Sequence, residues 1–330
     1  MPDIQRNSAP ISAIVDSPGF APLKQELRAW VEERLAEALN PGRGRRLKGL
    51  PAVLARPLRD LPARERRALK ERFRPAAGPR RPLADRLSTL AELRPRLPSD
   101  GLFPPGKFDD VLTTLLPRVT YEITGVRCDR STHEVGADEF YATVIASGPV
   151  GAPVLLGPRK LGDFRRGDRA TFSPPIVAPA LAMANVDGFQ SFVALVYCAE
   201  VDSGEYLDLM PAIYEELVAD GIVQVIVEGG ARGYLATVIV AEVMAALAGL
   251  GLALVNPVAG VAVLAAAIAA IVIELAALWR ADEMFTLQVD TLELPIDTHS
   301  PPAAQLSPAR SLLVSGYGAA YTLTTRWRLA

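Results

Sequence analysis

The chain is poor in the residues that build disulfide scaffolds and most structural zinc sites. Its 330 residues include two cysteines, Cys128 and Cys198, and two histidines, His133 and His299. Two cysteines exclude a disulfide-rich scaffold, and so few thiol and imidazole groups argue against a Cys/His structural zinc site. A catalytic triad would have to take its histidine from one of these two positions. Both cysteines lie in apolar, strand-like stretches, which is typical of core residues.

The sequence also lacks the motifs that identify common enzyme classes. It contains no G-x-S-x-G or H-E-x-x-H motif, and neither glycine-rich phosphate-binding pattern fits. We therefore expect that the chain is not an enzyme. The first residues also lack the basic and then apolar segments of a secretory signal. This predicts synthesis in the cytoplasm, with any export following a non-classical route.

Charge is distributed unevenly along the chain. Residues 1–110 hold 22 Lys and Arg against 14 Asp and Glu, whereas the remainder holds 13 against 23. Two basic patches, 43–48 and 64–74, lie in the first part. They predict first a solvated arginine-rich surface that partly neutralises the acidic part of the chain, and next an anionic lipid surface as partner. Nucleic acid would also fit the charge, but no nucleic-acid motif is present and aromatic residues are few, so we do not expect it as a partner.

Periodicity predicts an α+β protein in two parts. Residues 1–110 form a basic, Pro- and Arg-rich helical region, with a loosely ordered lead over 1–20 and a helix over 22–39. Residues 111–330 form an antiparallel β-sandwich with a helical insertion at about 204–280. The strand candidates are 119–126, 140–145, 153–156, 169–173, 189–199, 285–292, 312–314 and 321–327.

The insertion contains an unusually apolar stretch. Residues 235–279 carry two charged side chains, Glu242 and Glu274, and Asn256-Pro257 marks a turn near the middle. Each arm is long enough to cross a hydrocarbon core of about 30 Å as a helix. Positive charge stands at the open ends only, at Arg232 and Arg280, as expected of a hairpin that enters a membrane from one side. The same small and apolar residues would also suit a helix pair buried in a soluble core.

Glu242 and Glu274 fall at similar depth near the open end of this hairpin. Protonation would remove most of the cost of inserting them, so the pair predicts acid-promoted membrane entry. The alternative is that both are solvated at the mouth of a soluble helix pair.

A glycine-rich connection precedes the hairpin, and an amphipathic segment over 205–228 precedes that connection. Gly229, Gly230 and Gly233 predict a hinge that releases the hairpin, or a plain turn between helices. The amphipathic segment could cover the hairpin in a soluble state.

Carboxylates cluster in two turns of the predicted sandwich. Asp129, Asp138 and Glu139 lie in the first turn, and Asp202 and Glu205 lie in the second. Oxygen ligands that converge from two loops are typical of calcium sites, so Ca²⁺ is the candidate cofactor, and solvated turns are the alternative.

The leading hypothesis is a soluble membrane-active protein that inserts its hairpin and oligomerises there. A pore-forming or permeabilising effector or toxin is the specific form of this hypothesis. The arrangement resembles colicin-type pore-forming domains in having a concealed hydrophobic helical hairpin, over about 45 residues. That resemblance implies a lipid membrane as the partner. The alternative is a soluble interaction or calcium-binding module whose hairpin is permanent core or an oligomer interface.

Overall fold

The computed structural model describes most of the β part and much of the helical part of the chain. The described residues are 5–16, 18–42, 46–74, 82–83, 86, 118–132, 136–149, 153–183, 188–200, 208–220, 264, 267–272, 274–275, 285–296, 305–316 and 318–329.

The strands form two antiparallel sheets. The first sheet has the order β1-β7-β6-β3-β4, and the second has the order β5-β2-β10-β8, with β9 also paired to β10. The strands are β1 (Gln5–Pro10), β2 (Val119–Arg130), β3 (Asp138–Ser147), β4 (Val154–Phe164), β5 (Arg169–Val177), β6 (Gly188–Glu200), β7 (Gln288–Ile296), β8 (Gln305–Leu306), β9 (Arg310–Gly316) and β10 (Ala319–Leu329).

The described helices lie in the N-terminal region and in the insertion. They are α1 (Ile11–Val15), α2 (Ala21–Leu39), α3 (Gly49–Asp60), α4 (Ala63–Arg72) and α5 (Leu209–Ala219), with a 3₁₀ turn over Pro18–Phe20. The described residues between 264 and 275 are also helical, and we call them the buried segment.

Strand β6 explains why the molecule has three layers. Its side chains point alternately to opposite faces, and both faces are apolar. Phe192, Val196 and Cys198 pack against the second sheet, whereas Val193 and Leu195 pack against the helices. The first sheet therefore lies between the helical layer and the second sheet, and two apolar cores flank it.

The strands that bracket the insertion are neighbours in the first sheet. β6 pairs with β7 in antiparallel register, with Val196 opposite Gln288 and Gly188 opposite Ile296. The backbone N–H of Phe285 also donates to the carbonyl of Cys198 at 3.1 Å. The insertion thus leaves the sheet and returns to it at the same end of two adjacent strands.

The structure confirms the mixed α+β composition and the two antiparallel sheets. It differs from the sequence expectation at the start of the chain, where residues 5–10 form an edge strand paired with β7 instead of a loose lead. It also adds helix α3, which we did not predict because Pro51 and Pro57 lie inside it.

Candidate functional site

The candidate site is the contact between the basic N-terminal helices and the helical insertion. The buried segment is the part of the insertion at the centre of this contact. Its side chains belong to the same apolar core as those of α2, α3, α5 and the first sheet. All of its apolar side chains except Ala270 are at most 1% exposed: Leu264, Ala267, Ile268, Ala269, Ile271, Val272 and Leu275. Burial at three consecutive positions, 267–269, indicates a helix enclosed on more than one side.

One narrow stripe of the buried segment reaches the surface. Ala270 is partly exposed and Glu274 is exposed, and residues four apart lie on the same helix face. The Oε1 atom of Glu274 accepts a hydrogen bond from Nη1 of Arg28 at 2.7 Å, and its Oε2 atom lies 3.6 Å from Nζ of Lys24. The Glu274 carboxylate is thereby paired with two cations of α2.

These ion pairs also raise the pKa values of Lys24 and Arg28. The hydrogen bond to Asp16 is the main cause that raises the pKa of Lys24, and Glu274 adds to the effect. The hydrogen bond to Glu274 raises the pKa of Arg28 above its ordinary value. Because all these groups are partly exposed, each pair contributes no more than about 1 kcal/mol.

A second contact between α2 and the insertion is buried. Arg34 is 1% exposed, and its guanidinium lies 3.2 Å from Glu216 and 3.2 Å from Asp220, at the end of α5. Trp30 lies one helical turn before Arg34, so the guanidinium stacks over its indole ring at 4.4 Å. The indole N–H of Trp30 donates to Oδ2 of Asp220 at 2.8 Å, and the backbone N–H of Leu83 donates there as well.

A third contact joins α3 to the start of α5. Nη1 of Arg56 lies 2.8 Å from Oδ2 of Asp208, and both side chains are exposed. Together the three contacts pair basic residues of the N-terminal region with acidic residues of the insertion, and we call them the interhelical ion pairs. Their members are Lys24, Arg28, Arg34 and Arg56 on one side and Asp208, Glu216, Asp220 and Glu274 on the other. These four cations of the N-terminal region pair within the chain, and none of them lies in the basic patches 43–48 and 64–74.

The predicted calcium residues that the structure describes point to different partners. Asp129 accepts hydrogen bonds from Arg127 and Thr322, while Glu139 pairs with Lys160 at 3.1 Å. Asp138 is buried, and its side chain points to the opposite face of β3 from that of the next residue, Glu139. Within the described part of the chain, no group of three or more acidic, cysteine or histidine side chains is arranged for a metal ion.

Asp138 instead joins the two sheets. It accepts a hydrogen bond from the Tyr321 hydroxyl on β10 and two from Thr132 at 2.9 Å. A matching contact lies on β7, where the fully buried Asp290 accepts a hydrogen bond from Tyr121 of β2 at 3.0 Å. We did not predict these tyrosine–aspartate pairs. The available signal was a carboxylate next to valine within a strand candidate, in the sequence Gln-Val-Asp-Thr-Leu-Glu-Leu.

Several residues singled out from the sequence lie outside the described residues. They are Gly229, Gly230, Arg232, Gly233, Glu242, Asn256, Pro257 and Arg280 of the hinge and hairpin predictions, and Asp202 and Glu205 of the calcium prediction. Among the residues that the structure does describe, no helix is both long and apolar enough to cross a membrane.

The comparisons with known proteins give no relative for this chain. No protein-family model, curated protein or solved structure matches it.

Proposed function

We propose that this chain is a water-soluble, membrane-active protein that conceals an apolar helical segment and releases it to permeabilise a lipid bilayer. The observation that supports the proposal is the state of the buried segment. Its apolar residues are enclosed in the helical core, and its one described carboxylate is paired with Lys24 and Arg28. An apolar segment that is held partly by titratable groups can be released by a change in those groups.

Acid supplies a physical route to release. It neutralises carboxylates but leaves guanidinium and ammonium groups charged. Protonation of Glu216 and Asp220 would break two buried ion pairs of Arg34, and breaking a buried ion pair costs about 3–5 kcal/mol in comparable proteins. Protonation of Glu274 would remove both its pairs and up to about 3 kcal/mol of its cost of entering a bilayer.

The second candidate function is a soluble binding module in which the buried segment is permanent core. The Arg34 contact favours it, because two carboxylates and an indole ring surround this guanidinium. Such a contact fixes α5 against α2 at neutral pH. The two candidates differ in whether the helical layer opens under acid.

The first experiment measures dye release from anionic liposomes between pH 7 and pH 4.5. It compares the wild type with the double variant Glu242→Gln/Glu274→Gln. We expect leakage in acid, beginning at a higher pH in the variant because its glutamines are already neutral. Glu139→Gln is the matched control, since it neutralises an exposed carboxylate on β3. Absence of leakage from the wild type across this range, with or without Ca²⁺, would contradict the proposal.

The second experiment tests whether the buried segment must separate from α2. Arg28→Cys/Glu274→Cys places thiols where the two side chains now meet, and a reducible bismaleimide bridges them. The native cysteines are fully buried and should not compete for the reagent. We expect the bridge to abolish acid-induced leakage and reduction to restore it, while each single-cysteine variant treated with the reagent still leaks in acid. Full leakage from the bridged protein would favour the permanent core.

A further inference from the structure

A cavity of about 330 Å³ lies between the end of α2, helix α3 and helix α4. Its volume falls within the range of small-molecule sites, roughly 300–1,000 Å³. The floor and walls are apolar and come mainly from α2, α3 and the connection between them: Ala38, Leu39, Pro41, Leu47, Ala55 and Leu58. The remaining lining residues are Arg59, Arg66 and Lys70, so the cavity combines an apolar interior with three cations.

These three cations are free to bind a ligand. Arg59 and Lys70 are exposed, and their side chains make no hydrogen bond or ion pair with any residue that the structure describes. Arg66 donates one hydrogen bond, from Nη1 to the backbone carbonyl of Arg59 at 3.3 Å, and this leaves its other donors available. No carboxylate is among the described residues that line the cavity.

A second cavity, of about 440 Å³, differs from the first in that its charged residues are paired. It lies beside the buried segment and is also largely apolar, but its charged residues are Asp16, Lys24 and Glu274. These three already pair with one another at 2.7 and 3.6 Å. The charges of this second cavity are therefore already balanced within the protein, whereas no residue in the described part of the chain balances those of the first.

We propose that the cavity between α2, α3 and α4 binds a single-chain anionic amphiphile, such as a fatty acid or an alkyl phosphate. The acyl chain lies against Leu39, Leu47 and Leu58, and the anionic head group accepts hydrogen bonds from Arg59, Arg66 and Lys70. The apolar interior selects for the chain, and the unpaired cations select for the charge. This inference is independent of the membrane proposal, because it involves neither the buried segment nor its release.

The test is calorimetric titration of the full chain at neutral pH with dodecanoate below its micellar concentration. We expect one site per chain, and affinity that rises about fourfold for each added methylene from octanoate to dodecanoate. Inorganic phosphate should bind far more weakly because it lacks the chain, and dodecyltrimethylammonium should not bind because its head group is positive.

Two double variants, each of which removes two positive charges, test where the ligand binds. Arg59→Gln/Lys70→Gln should weaken dodecanoate binding roughly tenfold or more, since hydrogen bonds to charged groups are lost. Arg64→Gln/Arg67→Gln removes two exposed cations of α4 that do not line the cavity, and it should leave the affinity unchanged. Thermal unfolding of both variants checks that α4 remains folded.

Three outcomes would overturn the proposal. The first is no saturable binding of dodecanoate to the wild type. The second is equal weakening by both double variants, which would indicate a diffuse effect of positive charge. The third is binding to phosphatidylglycerol vesicles without binding to monomeric dodecanoate, which would assign these cations to a bilayer surface.

Discussion

The guanidinium of Arg34 lies 3.2 Å from the carboxylate of Asp220, and both groups are almost completely withdrawn from solvent. Arg34 comes from the basic N-terminal region, and Asp220 follows α5 in the acidic part of the chain. The same carboxylate oxygen also accepts hydrogen bonds from the Trp30 indole and from the Leu83 backbone. One acidic side chain therefore connects three separate segments of the helical layer.

The first prediction concerns the removal of this cation. Arg34→Met removes the guanidinium that pairs with Glu216 and Asp220, and breaking a buried ion pair by removing one partner costs about 3–5 kcal/mol. We expect a loss of that size in the free energy of unfolding at pH 7, measured by urea denaturation. Arg28→Met is the control, because its exposed pairs predict a loss of about 1 kcal/mol or less. Equal losses in the two variants would contradict a special role for Arg34.

The second prediction concerns the link between the sheets. Tyr321→Phe removes the hydroxyl that donates to buried Asp138 and leaves that carboxylate with one partner fewer. We expect a loss of about 1–3 kcal/mol in the free energy of unfolding. Tyr141→Phe serves as the control, since this partly exposed tyrosine has no hydroxyl hydrogen bond within the described residues, and its stability should be near that of the wild type.

The third prediction is the behaviour of Tyr321 in alkali. Burial raises the pKa of Tyr321, and the hydrogen bond to Asp138 raises it further. A group whose pKa is raised by folding stabilises the protein below its unfolded pKa, about 10 for tyrosine, and this contribution is lost as pH rises through the folded value. In a spectroscopic titration, we therefore expect the Tyr321 phenolate to form only with alkaline unfolding. Tyr321→Phe should reduce the absorbance change at alkaline unfolding by one tyrosine, and ionisation of Tyr321 in the folded protein would contradict the prediction.

The fourth prediction concerns thiol reactivity. Burial raises the pKa of both the Cys128 and Cys198 thiols, and both side chains are fully buried. Since the thiolate is the reactive form, neither should react with a disulfide reagent in the native state, and both should react after denaturation. Leu313→Cys, at a position 57% exposed on β9, should react at once and is the positive control. Rapid labelling of the wild type would contradict the packing of β2 and β6.

The fifth prediction concerns Asp129 in acid. Burial opposes the charged form, but hydrogen bonds from Thr322 and Arg127 outweigh it, so the pKa of Asp129 is lowered. A lowered pKa contributes stability above the unfolded value, about 3.9, and this is lost as pH falls through the folded value. Asp129→Asn should thus be less stable than the wild type at pH 7, and the difference should shrink in strong acid. A difference that is constant with pH would contradict this assignment.

Local patterns in the sequence predicted the regular elements well. The apolar stripe over 22–39 predicted α2, and the six residues on that stripe are all buried: Leu23, Leu27, Trp30, Val31, Leu35 and Leu39. Alternation likewise located β2, β3, β6 and β10, because one or both faces of these strands lie in a core. These features depend on neighbours along the chain, which a single sequence displays directly.

Features that depend on distant residues were harder to predict. The pairing of Arg34 with Asp220 joins positions 186 apart, and the contact between Tyr121 and Asp290 joins positions 169 apart. The sequence marks each partner as a charged or polar residue in an apolar context, but it does not identify the other member. The edge strand β1 was missed for a related reason, since its pairing with β7 depends on backbone hydrogen bonds.

The return of the insertion to the strand beside its starting point has a mechanical consequence. β6 and β7 remain joined by their own hydrogen bonds, as the two strands of a hairpin would be. The insertion begins after β6 and ends before β7, so its two points of attachment are one strand spacing apart, about 4.8 Å. Displacement of α5 and the buried segment from the first sheet would therefore break none of the strand pairings described here, and the hydrogen bonds between β6 and β7 would remain.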